Sequence, residues 1–341
     1  ENTSWATAGH ETAFGERSFL VEEEALSRSG IPVYGAGLRI CEEKPFRVVR
    51  GFNNIGVRGE GFSVLFSTLY GGLVSYRYAG RELLAQMPLP NFWRALTEND
   101  KGNLMACRYA QWKIASLYLT AKEESTDGQH HYYNSSLPAV KEEEGAVTVT
   151  YTYHMPTTPK SDCELAYTVY GDGTVGVLLS YDPLPELGDM PEFGVLFKLS
   201  ADYDNVTWFG QGPEETYADK QRGSKLGIYK NKVEDNLAKY LVPQECGNKM
   251  GVYCASVTDE KGRGLLFAGD RMNFSALPFT PHEMENAAHP HELPKRHYTV
   301  VRAAAGQMGV GGDDSWGAWP KADTLLDVSE RMEFGFFFKG I

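Results

Sequence analysis

The sequence predicts an all-β protein, built as one large antiparallel sandwich, on three grounds. Runs that alternate apolar and polar residues at period two recur along most of the chain. Helical periodicity is rare: its best instance is Leu104 to Ile114, with a short turn expected at Glu214 to Tyr217. Composition agrees, since 36 glycines and 12% aromatic residues in a chain of 341 suit many strands joined by tight turns.

Taken in order, the first strands are expected at Phe62 to Leu69 and Leu73 to Tyr78. In Val147-Thr-Val-Thr-Tyr-Thr-Tyr153 the valines and tyrosines share one face and the threonines the other, as a half-buried strand requires. Ala166 to Tyr170 and Val175 to Tyr181 flank Gly171-Asp-Gly173, a hairpin signal because successive residues there can take positive φ. Phe193 to Leu199, Val206 to Phe209, Val252 to Val257, Gly264 to Ala268, His297 to Arg302 and Arg331 to Lys339 complete the series. Strand following strand, with hardly a helix between, excludes a doubly wound α/β sheet and an eight-fold α/β barrel. The lack of a fixed-period repeat argues against a propeller. Arg28-Ser-Gly-Ile-Pro32 reads as a linker, so residues 1–42 are expected to be the remnant of a preceding module and residues 43–341 the main domain.

With 33 basic against 45 acidic side chains, the net charge of −12 would repel a phosphate backbone, so nucleic acid is not an expected partner. No stretch approaches the ~18 apolar residues of a membrane span, so no membrane partner is expected either. The start Glu1-Asn-Thr-Ser4 has neither Met nor a signal-peptide pattern and reads as an excised or processed chain. Five scattered cysteines, Cys41, Cys107, Cys163, Cys246 and Cys254, match neither a zinc knuckle nor a disulfide framework and are expected to be buried thiols.

Three polar, Gly-rich segments break the strand rhythm: Pro90 to Gly102, Trp208 to Arg222 and Gly309 to Pro320. Irregular segments on a β scaffold are where sites are usually built. Asp313 and Asp314 are a poor hydrolytic pair, because adjacent residues in extended backbone point to opposite faces and cannot converge on one bond. They suit hydrogen bonding or turn stabilisation. Trp316 and Trp319 could each stack on a sugar ring or pack in the core. His289-Pro-His291 with Glu283, Glu285 and His297 matches no standard metal spacing. No Gly-x-Ser-x-Gly elbow, phosphate loop or dinucleotide fingerprint occurs.

These loops also carry a resemblance. Asn91-Phe-Trp-Arg-Ala-Leu-Thr-Glu-Asn-Asp-Lys-Gly102 resembles the Asn-Phe-Trp-Arg-Ala-Pro-Thr-Asp-Asn-Asp-x-Gly signature of large bacterial β-galactosidases of glycoside hydrolase family 2, with Leu96 for Pro and Glu98 for Asp. Gly210-Gln-Gly-Pro-Glu-Glu-Thr-Tyr-Ala-Asp219, Pro243-Gln-Glu-Cys-Gly-Asn248 and Met308-Gly-Val-Gly-Gly-Asp-Asp-Ser-Trp316 resemble three further motifs of that family, in its order. Trp5-Ala-Thr-Ala-Gly-His-Glu-Thr-Ala-Phe14 resembles the end of its preceding immunoglobulin-like domain.

The resemblance implies a β-supersandwich of the galactose-mutarotase-like type, preceded by a short remnant of an immunoglobulin-like β-sandwich. It implies the C-terminal domain, or small subunit, of an enzyme that hydrolyses terminal β-D-galactosides with retention. Both catalytic glutamates of such an enzyme lie in an α/β barrel with no counterpart here, so no residue of this chain is assigned catalysis and the chain alone is expected to be inactive. By residue-for-residue carry-over, Trp316 matches the tryptophan that stacks on bound sugar and Gly102 the hinge glycine of a closing loop. Asp313 and Asn99, in the same motifs, are counted with the substrate-binding residues. Expected partners are a galactoside, the barrel region or large subunit, and further copies of the full enzyme. No cofactor is assigned to this chain. Magnesium, held in the barrel, and sodium are expected in the full enzyme, and Val242-Pro243 is the place here where sodium would be sought. The alternative reading is a stand-alone carbohydrate-binding module or mutarotase-like protein. Bacterial cytoplasm and periplasm both remain open as locations.

Overall fold

The computed structural model describes residues 3–11, 13–17, 44–314 and 316–341. The chain divides into two compact units, Glu1–Val33 and Tyr34–Ile341. The described residues of the first form turns rather than strands, with the Thr3 hydroxyl accepting from the Ala6 amide and the rings of Trp5 and His10 meeting edge-on at 5.4 Å. The boundary expected between residues 42 and 43, like Cys41, lies outside the described residues.

The second unit begins with strands β1 (Phe46–Arg50), β2 (Asn54–Gly59), β3 (Phe62–Ser67), β4 (Gly72–Tyr78), β5 (Arg81–Glu82) and β6 (Gln86–Asn91). Two helices follow, α1 (Glu98–Gly102) and α2 (Met105–Tyr118), and then the small pair β7 (Glu124–Thr126) and β8 (His131–Tyr133). Next come β9 (Ala139–Glu143), β10 (Ala146–Met155), β11 (Ser161–Tyr170), β12 (Val175–Tyr181), β13 (Glu192–Ser200), β14 (Asn205–Gly212) and β15 (Lys225–Lys232). The chain ends through β16 (Lys249–Thr258), β17 (Gly264–Leu277), helix α3 (Pro281–Asn286), β18 (Tyr298–Gln307) and β19 (Met332–Gly340).

Every strand pairing among the described residues is antiparallel. Strands β1 to β5 form one sheet in chain order, and twelve others form a large sheet running β15-β14-β16-β17-β19-β12-β11-β10-β9. A branch leaves this path at β17, whose first half pairs with β19 and whose second half pairs with β18, leading on to β13 and β6. Arg271, between the two halves, adopts φ 53°, a left-handed conformation that turns the strand from one partner to the other.

Alternation of side chains across each strand buries one face in a shared core. In β11, for example, Cys163, Leu165, Tyr167 and Val169 are buried while the residues between them are not. Phe338 packs edge-on against Tyr76 at 5.1 Å and Phe197 at 5.4 Å, so the five-stranded sheet is fused to the large one by aromatic contact. Tyr76 adds a polar link, donating to the Gly173 carbonyl at 2.7 Å and accepting from the Gly340 amide at 2.9 Å.

The all-β, antiparallel expectation therefore holds, with most strands at the expected places. Helix α2 runs four residues beyond Ile114 and is kinked at Tyr109, whose φ of −117° is not helical. Glu214 to Tyr217 makes no helix; an isolated bridge between Tyr217 and Lys220 orders the segment instead.

Tyr76→Phe should cost about 1 to 3 kcal/mol of stability, because it strands a buried carbonyl and a buried amide at once. Urea unfolding checks this, and an unchanged midpoint would show that the two sheets are held without this hydroxyl.

Candidate functional site

The three irregular segments meet at one edge of the scaffold because buried charges tie their roots together. Arg302 on β18 is enclosed, and its guanidinium donates to Glu192 Oε2 and to Glu245 Oε1, both at 2.6 Å, and to Ser275 Oγ at 3.1 Å. Asn91, at the end of β6, donates to Glu192 Oε1 at 2.7 Å, and the Tyr217 hydroxyl donates to Glu245 at 3.3 Å. Arg94, also fully enclosed, donates to both oxygens of Asp100 at 2.6 and 3.2 Å and to the Gly309 carbonyl at 3.0 Å. Asp100 in turn accepts from the Thr97 amide at 2.8 Å and closes the capping box that starts α1.

This cluster holds two guanidiniums, Arg94 and Arg302, and three carboxyls, Asp100, Glu192 and Glu245. If all were ionised, one uncompensated negative charge would sit away from water, which is costly. Burial accordingly pushes Glu192 up to about 7, although Arg302 pulls in the other direction. Glu245 Oε2 is buried and finds no partner among the described residues.

Above these roots stands the segment that carries Trp316. The Asn99 side chain on α1 holds it on both sides, donating to the Asp314 carbonyl and accepting from the Gly317 amide, each at 3.1 Å. Asn103 reaches the Ala318 carbonyl at 3.3 Å. Asp314 closes the turn from within, its Oδ1 accepting from the Trp316 and Ala318 amides at 3.0 Å. Asp219, from the second segment, accepts from the consecutive amides of Val310 and Gly311 at 3.1 and 2.9 Å. Gly317 sits at φ 132°, where a side chain would be strained. Gly102 packs so tightly that a Cβ there would fall 2.7 Å from the Trp316 carbonyl oxygen.

Of the expected residues, Asn99, Gly102 and Trp316 therefore come together. Asp313 points elsewhere, exposed and 3.6 Å from the Lys321 ammonium. The two adjacent aspartates diverge, as their spacing implied. Trp316 is 78% exposed, which excludes the core-packing reading. Trp319 is largely exposed too and lies under the Arg108 guanidinium at 3.7 Å, an arrangement that pins α2 to the segment. Asp219 was quoted from sequence only as the end of a motif, with no role, and Asn103 and Arg108 were not singled out, since nothing in their own neighbourhoods marks distant amides, carbonyls or rings as their partners.

The His-rich stretch separates in the structure. His289 and His291 stack at 5.4 Å, Glu283 caps α3, and Glu285 binds the Trp93 indole and Lys113. Among the described residues no three His, Cys, Asp or Glu side chains are grouped to hold a metal. The Val242 carbonyl, the place where sodium would be sought, accepts from the Gln244 side chain at 3.1 Å. The thiols differ from expectation in part: Cys163 and Cys246 are buried, Cys254 is half-buried, and Cys107 is exposed on α2. A cleft of about 390 Å³ is walled by Gly212 to Ser224, with Asp219 and Lys220 in its lining.

Fold and site together define an antiparallel β scaffold that presents an exposed indole over a buried ionic root. Residues 58–338 match the family described as β-galactosidase small chain, and the chain belongs to that family. A β-galactosidase of Halalkalibacterium halodurans is 39% identical over 343 residues, covering 97% of this chain and 31% of that protein. A β-galactosidase small subunit of Latilactobacillus sakei is 33% identical over 315 residues, covering 86% of this chain and 97% of the subunit. This chain thus spans about a third of the longer relative and nearly all of the shorter. Among solved structures, a galactose mutarotase related enzyme from Lactobacillus acidophilus aligns with a TM-score of 0.41 at 11% identity, over 87% of this chain and 97% of that one.

Two measurements test this description. Because Glu192 titrates in the fold at about 7 rather than 4.5, the folded state keeps a proton that the unfolded chain releases. Its contribution to stability is complete below pH 4.5 and is lost as pH rises towards 7. Unfolding free energy measured across that window should fall less steeply for Glu192→Gln, by up to about 1 kcal/mol per pH unit; parallel profiles would refute the assignment. Gly102→Ala should displace the Trp316 backbone, and hydrogen exchange in peptides spanning residues 313–319 should quicken by roughly tenfold while the sheets stay protected.

Proposed function

We propose that this chain is the small-chain part of a β-galactosidase and forms one wall of the pocket that holds the galactosyl group. The observation that carries the reading is the presentation of Trp316: an indole left in water while the backbone on both sides of it is held by Asn99 and Asp314. Holding a large apolar ring in solvent forgoes its burial, so the arrangement makes physical sense when a ligand covers the ring. The C–H face of a pyranose fits an indole face without requiring charge.

In this reading the reaction is hydrolysis of a terminal β-D-galactoside with retention. The nucleophile and the acid/base are glutamates of a barrel region or large subunit, and this chain is inactive alone. Trp316 orients the sugar, which lowers the barrier without covalent chemistry, and Gly102 lets the α1 backbone pack directly against that of Trp316. Asn99, Asp314 and Asp219 act through Trp316 as positioning residues, and Asp313 lies at the rim. Magnesium and sodium belong to the full enzyme, which assembles as a homo-oligomer, and no step assigned to this chain uses a metal.

The test is Trp316→Ala in the full enzyme. Galactoside binding should weaken by about 1 to 3 kcal/mol, the scale of a lost aromatic contact, with folding unaffected. Unchanged KM and kcat would remove Trp316 from the sugar site, and robust galactoside hydrolysis by this chain alone would overturn the division of labour.

A further inference from the structure

The outer face of α2 is largely apolar. Its inner face is covered, with Met105, Trp112 and Ala115 buried and Ser116 accepting from the Phe92 amide. A helix packed on one side normally turns polar residues to water. Here Leu104, just before the helix, then Cys107, Ile114, Leu117 and Tyr118 are exposed along the side opposite the core, interrupted by the half-buried Gln111, whose Oε1 accepts from the Thr158 amide. Leu104 is 62% exposed and Tyr118 69% exposed. Leu104 also adopts φ 61°, ψ 34°, a left-handed conformation that a leucine rarely takes. The backbone thus accepts strain at the one point where it turns an apolar side chain outward next to α1.

We propose that this stripe is the docking surface for the catalytic portion of the enzyme, the barrel region or large subunit. The inference rests on the function proposed above and adds to it the place of contact. Two observations choose this occupant over a second copy of the chain. The longer relative is about three times this chain's length, so in it the matched region is accompanied by a body larger than this chain. The stripe is also continuous with the proposed sugar wall: it starts two residues after Gly102, which packs on the Trp316 backbone, and runs on for ~20 Å of helix. A body that brings its glutamates over Trp316 stands at the head of this stripe and covers it as it extends along α2.

Cys107 lies within the stripe and reports on its cover. The experiment treats the full enzyme, native and then unfolded in guanidinium, with iodoacetamide and follows alkylation of the Cys107 peptide by mass spectrometry. The proposal expects native labelling at least about tenfold slower than unfolded labelling at every enzyme concentration. Native labelling within about threefold of the unfolded rate overturns it. Protection that disappears on dilution while the catalytic and small-chain parts stay together by size-exclusion chromatography assigns the stripe to a second copy and overturns it as well. As a second arm, Ile114→Lys with Leu117→Lys in the full enzyme should restore fast labelling of Cys107, and continued protection counts against the proposal. Galactoside hydrolysis is assayed on the same unmodified sample. Activity with a freely reactive Cys107 defeats the docking surface alone, whereas no activity in the full enzyme defeats the proposed function.

Discussion

The structure depends on the enclosed contact between Arg302 and its two glutamates. Glu192 begins β13, Arg302 lies on β18, and Glu245 comes from the loop before β16, so one guanidinium gathers three distant stretches of chain. Arg94 repeats the device a short way along, joining the start of α1 to the carbonyl of Gly309. Buried pairs of this kind add little net stability compared with apolar packing, because desolvating the ions costs about as much as their attraction returns. Their value here is geometric. A misplaced partner would leave a charge alone in the interior, so the loops carrying these groups have one permitted arrangement.

What grows from that root is held almost entirely by hydrogen bonds to backbone. Asn99, Asn103, Asp219 and Asp314 all bind amides or carbonyls of residues 310–318. A segment built this way needs no apolar core of its own and leaves its largest side chain free for another use. It also explains the glycines: Gly102 permits backbone to meet backbone at the Trp316 carbonyl, and Gly317 permits the left-handed turn just after the indole. Stacking surface and ionic root thus serve different ends, the first recognition and the second placement.

How much of this could be read in advance follows from range of interaction. Central strands such as β10, β12 and β13 were legible because their alternation is dictated by the core they line. β6 was not, since Pro88 and Pro90 look like breakers; it survives as an edge strand that among the described residues pairs with β13 alone. Edge strands β1 and β15, half-exposed and rich in charge, have the same weak pattern. Helix α1 was hidden inside a polar motif, although Thr97-x-x-Asp100 is a capping-box signal that could have marked its start. In the candidate site, Trp316, Gly102 and Asn99 were found through motif resemblance. Asp219, Asn103 and Arg108 escaped because their partners lie up to about two hundred residues away or in another segment.

The sequence by itself determined the antiparallel β class, the positions of the central strands and, through four ordered motifs, the family. These are properties of local pattern: side-chain alternation and short motif spacings are readable without knowing what a residue touches. Tertiary structure decided which motif residues face outward. Arg94 and Trp316 look equally eligible for a site in the sequence, yet one is sealed against Asp100 and the other stands in solvent. It also decided that α2 is largely apolar on both sides, one against this core and one exposed among the described residues. Burial is a property of the whole assembled surface, and only the packed chain computes it.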